Sequence, residues 1–109
     1  MNQRERIIAS LDVFNVSLRG RKYVMEALDS KEWNWQEDCD GCTFISENWE
    51  GIYPPCLVHD YMWITGRGGY QSDLIFLDLM LEYKLPKLKA YFRFFAVRLA
   101  WVLYYKKIR

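Results

Sequence analysis

Hydrophobic residues recur at helical spacing near the start of the chain. The first apolar face, with steps of three or four residues typical of an α-helix, consists of Ile7, Leu11, Phe14 and Leu18. We expect this helix to stop at Gly20, and residues 23–28 to form a second short helix or a strand. The pattern therefore predicts a helical N-terminal segment over residues 1–28.

Residues 29–55 interrupt the helical pattern with many Asp, Ser, Asn, Gly and Pro residues. Irregular stretches of this length inside a compact domain are uncommon, and they are usually functional or held in place by other contacts. Trp33, Trp35 and Trp49 lie within this stretch. Because tryptophan buries a large apolar area, we expect these side chains to hold the loop on a core.

The stretch PPCLVHDYMWIT predicts a helix over residues 56–65. Pro54 and Pro55 suit the turn that begins a helix, because an N–H group has no intrahelical partner there. We expect the helix to end at Gly66.

A second apolar helix is predicted over residues 73–83. Ser72 is placed to cap it, and Asp73 lies near the positive end of its dipole. Apolar side chains on most of its sides indicate a buried, central helix. The short connection predicts that it lies antiparallel to the preceding helix, so we expect a central helix pair over residues 56–85.

The last helix is predicted over residues 87–107. Its apolar positions, again at helical spacing, are Leu88, Tyr91, Phe92, Phe95, Leu99, Val102 and Leu103. Such a stripe is typical of a helix that packs on a core, of one that lies in a lipid interface, and of one that docks into a larger assembly. We expect most of the stripe to pack into the core.

Length and composition indicate one domain. The chain has 109 residues, of which 51% are hydrophobic and 17% aromatic, enough to form the core of a single small domain. The predicted fold class is mainly α: a helical domain over residues 1–109, with two antiparallel central helices and a long irregular, Trp-rich loop.

The net charge of +1 conceals a division along the chain. Residues 1–82 carry seven Lys or Arg and all fourteen Asp or Glu, a formal charge of −7, whereas residues 83–109 carry eight Lys or Arg and no acid, a formal charge of +8. The basic segment is suited to a membrane, to an acidic protein surface or to the acidic body of its own chain. Nucleic acid is the disfavoured partner, because the acidic body would repel phosphates.

Three cysteines, Cys39, Cys42 and Cys56, occur in the chain. Their number is odd, and the N-terminal sequence MNQRERIIAS is polar and charged rather than a signal peptide. We therefore expect reduced thiols in a cytosolic setting. We also expect no transmembrane helix, since no uncharged apolar run approaches about 18 residues.

The single histidine, His59, is followed directly by Asp60. A neutral imidazole can take a proton from water when a carboxylate holds its other ring nitrogen, and Asp73 is the candidate carboxylate. Asp60 projects about 100° around the helix from His59, so it is placed to bind an adjacent metal. With carbonyl oxygens from the loop of Asp40 and Gly41, it would form an oxygen-rich site suited to Ca²⁺.

The same histidine also fits a zinc site. The pattern C-x2-C-x13-C-x2-H supplies four zinc ligands. These ligands are Cys39, Cys42, Cys56 and His59. Such a site is closed and structural, and His59 could not then act as a base. In a third interpretation, His59 donates a hydrogen bond to a backbone carbonyl and has no chemical role. These three interpretations remain open on the residues alone.

The stretch CLVHDYMW resembles the C-x-x-H-D-x-x-Y helix of secreted phospholipase A2. The stretch DGC falls where that family has its calcium loop. The later stretch SDLIFLDLM resembles the second helix of the family. The chain is also similar, over about residues 38–105, to an uncharacterised family from phages and prophages. That family has DG, VHDY, D-x-x-F and basic aromatic segments in the same order. Trp63 stands where the phospholipase pattern has a tyrosine, and the full glycine set and disulfide framework of that family are absent.

The resemblance implies a phage-encoded, phospholipase A2-like, calcium-dependent hydrolase or lipid-binding protein, located in the host cytoplasm or the phage particle. His59 would be the general base, Asp73 its orienting partner and Asp60 a calcium ligand. The segment from Lys87 to Arg109 would contact lipid. The alternative is a non-enzymatic component of a virion or tail that contacts other virion proteins, and a further alternative is a small protein with structural zinc.

Overall fold

A computed structural model describes residues 2–38 and 53–108. This part of the chain is mainly α-helical, without strands, and the predicted mainly α class is confirmed. Its helices are α1 (Gln3–Val13), α2 (Leu18–Asp29), α3 (Trp35–Asp38), α4 (Pro54–Ile64), α5 (Tyr70–Glu82) and α6 (Lys87–Ile108).

The N-terminal segment forms two helices, and the predicted continuous helix to Gly20 is wrong. Asn15 has a φ of 50°, a left-handed conformation that breaks a helix. Ser17 then caps α2, and its hydroxyl oxygen accepts a hydrogen bond from the Gly20 N–H at 3.1 Å. Leu18, which was expected on the apolar face of the first helix, is 87% exposed.

Gly20 lies within α2 and permits a close approach to α5. A Cβ atom at this position would lie 2.6 Å from Val16 Cγ1 and 2.9 Å from Glu82 Oε2. The other oxygen of Glu82 accepts a hydrogen bond from the Ser17 N–H at 2.8 Å. The end of α5 therefore holds the start of α2, and the absence of a side chain at Gly20 makes room for this contact.

The region predicted as irregular contains the short helix α3, and two of its tryptophans are buried. The indole N–H of Trp33 donates to the Ala27 carbonyl at 2.8 Å, and its ring lies 5.4 Å from that of Tyr61 on α4. Trp35 is also buried. Trp49 lies outside the described residues.

Helix α5 begins at Tyr70, three residues earlier than predicted, and its N-cap is Gly69 rather than Ser72, which is the third residue of the helix. The Ser72 hydroxyl accepts from the Gly69 N–H at 2.9 Å and donates to the Gly69 carbonyl at 2.8 Å. Gly69 has a φ of 139°, which a residue without a side chain adopts readily. Helix α4 similarly starts at Pro54, two residues earlier than expected.

Helix α5 lies between α4 and α6 and contacts both. Leu79 and Met80 on α5 and Leu57 and Val58 on α4 are almost fully buried. Five residues, 65–69, connect α4 to α5. The apolar composition of α5 therefore reflects its position between two neighbouring helices.

The expectation that the apolar stripe of α6 packs into the core is wrong. The core side of α6 is formed instead by Ala90, Arg93, Phe94 and Val97. The side chains of the predicted stripe are exposed by 42% to 85%, and they are Leu88, Tyr91, Phe92, Phe95, Leu99, Val102 and Leu103. Because α6 carries apolar residues on two sides, spacing alone does not indicate which side is buried. None of the helices in residues 2–38 and 53–108 is long and apolar enough to cross a membrane.

Candidate functional site: a buried histidine–aspartate–arginine cluster

The structure brings His59 of α4 and Asp73 of α5 into direct contact. His59 Nε2 lies 2.6 Å from Asp73 Oδ1, and the two side chains are 12% and 0% exposed, respectively. His59 is the sixth residue of α4, and Asp73 the fourth of α5. The short connection therefore folds the middle of α4 onto the first turns of α5.

The short contact determines which nitrogen of His59 carries the proton in the neutral ring. A carboxylate oxygen is an acceptor, so Nε2 must be the donor at 2.6 Å. The lone pair of the neutral ring is then on Nδ1. Among the described residues, no group hydrogen-bonds Nδ1, which leaves this nitrogen available to accept a proton.

Trp63 approaches the same histidine from one helical turn further along α4. Its indole Nε1 lies 3.2 Å from His59 Nε2. A protonated Nε2 has no lone pair to accept this hydrogen bond, and the contact with Asp73 at 2.6 Å is the shorter. We therefore assign Nε2–H to Asp73, with the indole as a packing neighbour in the position where the resemblance places a tyrosine.

Aromatic rings fix the orientation of the imidazole. The Phe76 ring, one turn after Asp73 on α5, lies 4.8 Å from the His59 ring, and the Trp63 ring lies 5.9 Å from it. The backbone of Gly68 in turn packs on Trp63, since a Cβ at Gly68 would lie 3.0–3.2 Å from atoms of the indole. The histidine is therefore held by packing as well as by its hydrogen bond.

A third helix, α6, contributes Arg98 to the site, and this residue was not predicted from the sequence. Arg98 Nη1 lies 3.1 Å from Asp73 Oδ2, the carboxylate oxygen that does not contact His59. The guanidinium also lies 5.1 Å from the centre of the Tyr70 ring, within range for a cation–π contact. Arg98 is one of several cations on α6, and nothing in its spacing distinguishes it, so the pairing depends on how α6 packs on α5.

The predicted calcium ligands are only partly within the described residues. Asp60 follows His59 on α4 and is half-buried, whereas Asp40 and Gly41 lie outside the described residues. Residues 2–38 and 53–108 contain no group of three or more His, Cys, Asp or Glu side chains that could hold a metal ion. Calcium binding stays a prediction.

The zinc interpretation required a free thiolate at Cys56. In the structure Cys56 is disulfide-bonded, so the expected reduced thiol is not present at this position, and a disulfide sulfur is not the thiolate that binds zinc. Cys39 and Cys42 lie outside the described residues. The partner of His59 is a carboxylate rather than the backbone carbonyl of the third interpretation.

Comparisons with protein-family models, with curated proteins and with solved structures found no match for this chain.

Proposed function

We propose that this chain is a phage-encoded, phospholipase A2-like hydrolase of lipid esters, with His59 as general base. The observation that supports the proposal is the contact of 2.6 Å between His59 Nε2 and Asp73 Oδ1, which leaves the Nδ1 lone pair available. A neutral histidine oriented by a buried carboxylate is the arrangement that activates a nucleophile in many hydrolases.

The proposed reaction begins when His59 Nδ1 accepts a proton from a water molecule. The oxygen of that water attacks the carbonyl carbon of the ester, and a tetrahedral intermediate forms. Collapse of the intermediate breaks the bond to the alcohol oxygen, which takes the proton back from His59. One water and one ester thus give one carboxylic acid and one alcohol.

Asp73 and Arg98 support this step without touching the substrate. When His59 is protonated, the carboxylate of Asp73 stabilises the imidazolium and keeps the ring in one orientation. Arg98 holds the second oxygen of the same carboxylate at 3.1 Å, so that Asp73 cannot rotate away from the imidazole. Both are therefore positioning residues in this proposal.

Replacement of His59 tests the proposal most simply. We expect the purified chain to release fatty acid from phosphatidylcholine and phosphatidylglycerol, and His59→Gln to lower the rate by at least about a hundredfold. Gln71→Asn, a change at an exposed site near the start of α5, is the matched control and should retain the rate. Each assay is run with added calcium and with a chelator, and loss of activity in the chelator would support the predicted metal.

Two results would contradict the hydrolase proposal. The first is that the folded wild-type protein, with its helical circular dichroism intact, hydrolyses none of these phospholipids with calcium present. The second is that His59→Gln hydrolyses them as fast as the wild-type protein does.

The second candidate is a non-enzymatic assembly component of a phage virion or tail. The observation that favours it is the exposed apolar stripe of α6, which is suited to docking. This function requires the protein to be present in purified particles at a fixed ratio to the other structural proteins. Mass spectrometry of virions measures that ratio, and absence from the particle would exclude the candidate.

A further inference from the structure

The exposed apolar side chains of α6 form one continuous surface. We call it the α6 face and define it by Leu88, Phe92, Phe95, Leu99 and Leu103, which are 56% to 85% exposed. At about 100° per residue, these five positions lie within an arc of about 80° on one side of the helix. Single exposed apolar residues are ordinary on a protein surface, but a contiguous row of five indicates a binding surface.

Cationic residues flank the α6 face on both sides. Lys87 lies on one side and Lys89 on the other, at about 120° and 80° from the centre of the face, and both are exposed. Residues 83–109 carry eight Lys or Arg and no Asp or Glu. The helix therefore combines an apolar face with cationic edges, the arrangement typical of helices that lie in the plane of a membrane surface.

We propose that the α6 face docks on an anionic lipid bilayer. Leu and Phe side chains of the face enter the boundary between headgroups and acyl chains, and the flanking cations lie at the level of the lipid phosphates. The helix lies along the surface and does not span the membrane, in agreement with its charge. This inference rests on the proposed function for its choice of lipid, but the docking itself requires no catalysis.

The charge distribution favours a bilayer over two other occupants. In a dimer that pairs two α6 faces, two helices with cations and no acids would lie side by side, and their charges would repel. A nucleic acid offers phosphates but no hydrocarbon phase in which Leu and Phe side chains could be buried. An anionic bilayer offers both the hydrocarbon and the negative charge.

The position of the α6 face also suits the proposed site. Leu99 of the face directly follows Arg98, whose guanidinium contacts the Asp73 carboxylate at 3.1 Å. The turn of α6 that docks on lipid is therefore the turn that helps to position the His59–Asp73 pair. Docking would bring this cluster close to the surface where its ester substrates lie.

Cosedimentation with vesicles tests the inference. We expect the chain to bind vesicles of phosphatidylglycerol mixed with phosphatidylcholine, to bind pure phosphatidylcholine at least tenfold more weakly, and to lose affinity in high salt. The double variant Phe95→Ser with Leu99→Ser should lose at least tenfold in partitioning. Its matched control is Val13→Ser with Leu18→Ser, which changes two apolar side chains that are 77% and 87% exposed outside α6, and which should bind as the wild type does.

Three outcomes would overturn the docking proposal. One is that anionic vesicles do not retain the wild-type protein. Another is that the Phe95 and Leu99 variant, with an unchanged circular dichroism spectrum, binds as tightly as the control. The third is that sedimentation velocity or copurification shows the α6 face to be covered by a second copy or a partner protein, with no lipid binding.

Failure of the docking proposal can be distinguished from failure of the hydrolase proposal. His59→Gln should bind vesicles like the wild-type protein even when it hydrolyses nothing. Conversely, the Phe95 and Leu99 variant should still hydrolyse a dispersed short-chain phospholipid, which needs no bilayer. Vesicle binding by a protein that lacks any esterase activity would support docking alone.

Discussion

The carboxylate of Asp73 is fully buried, and its two oxygens face groups from two other helices. Burial of a carboxylate without partners is strongly unfavourable, whereas a pair with good hydrogen bonds offsets the loss of hydration. His59 provides one partner and Arg98 the other. At the scale of single residues, Arg98 therefore neutralises the charge on which the orientation of the histidine depends.

Replacement of Arg98 by methionine, which keeps the aliphatic stem, should lower the free energy of unfolding by about 2–3 kcal/mol. The basis is the cost of leaving a buried charge unpaired, reduced because the Arg98 side chain is 27% exposed. In an Asp73→Asn background the same change should cost less than about 1 kcal/mol. Urea denaturation of the four proteins measures the coupling, and equal losses in both backgrounds would show that the Arg98–Asp73 contact contributes nothing to stability.

At the scale of helices, close approach between α2 and α5 depends on Gly20. Replacement of a helical glycine by alanine ordinarily stabilises a protein by about 1 kcal/mol. Here the new Cβ would lie 2.6 Å from Val16 Cγ1 and 2.9 Å from Glu82 Oε2. Val16 is buried and stiff at χ1, and Glu82 is already bound to the Ser17 N–H, so neither can move away freely.

We therefore expect Gly20→Ala to lower the free energy of unfolding by about 1 kcal/mol, because overpacking exceeds the gain in helix propensity. Lys22→Ala, at an exposed position of the same helix, should change stability by less than about 0.5 kcal/mol. Denaturant titration of both variants provides the comparison. A Gly20→Ala protein more stable than the wild type would mean that α2 and α5 do not approach this closely.

Sequence patterns predicted which segments are helical more reliably than where the helices begin or which side they bury. The proline pair and the apolar run placed α4 and α5 within a few residues, because these signals are local. The break at Asn15 was missed, since a left-handed asparagine leaves no clear signal in a run of helical spacing. The buried side of α6 was predicted wrongly because α6 has two apolar sides, and only its packing on α5 selects one.

At the scale of the whole molecule, the candidate site was partly accessible from the sequence. The order and spacing of the His59 and Asp73 motifs suggested two neighbouring helices that face each other, and the structure brings the two side chains together. Arg98 was not predicted, because its role depends on its contact with Asp73, which lies 25 positions earlier in the chain. No sequence motif indicates how α6 is aligned along α5. The state of Cys56 was likewise not apparent from an odd number of cysteines.

The structure shows how the basic C-terminal segment is placed relative to the rest of the described chain. The helix of the basic segment packs on α5 through one side, and its apolar stripe faces outward on the other. One of its cations, Arg98, turns inward to Asp73, while the exposed Lys87 and Lys89 remain at the edges of the face. In the described residues, a helical body therefore holds the His59–Asp73 pair, and α6 contacts this pair through Arg98 while its α6 face is exposed.

The proposed site depends on Asp73, which holds His59 with the proton on Nε2 and the lone pair on Nδ1. Because the chain has one histidine, a long-range ¹H–¹⁵N correlation spectrum in buffer where the imidazole is neutral reports on this ring alone. We predict a protonated Nε2 and an unprotonated Nδ1 in the wild-type protein, and loss of that preference in Asp73→Asn. A wild-type spectrum with the proton on Nδ1, or with the averaged tautomers of a free imidazole, would show that Asp73 does not fix the tautomer of His59.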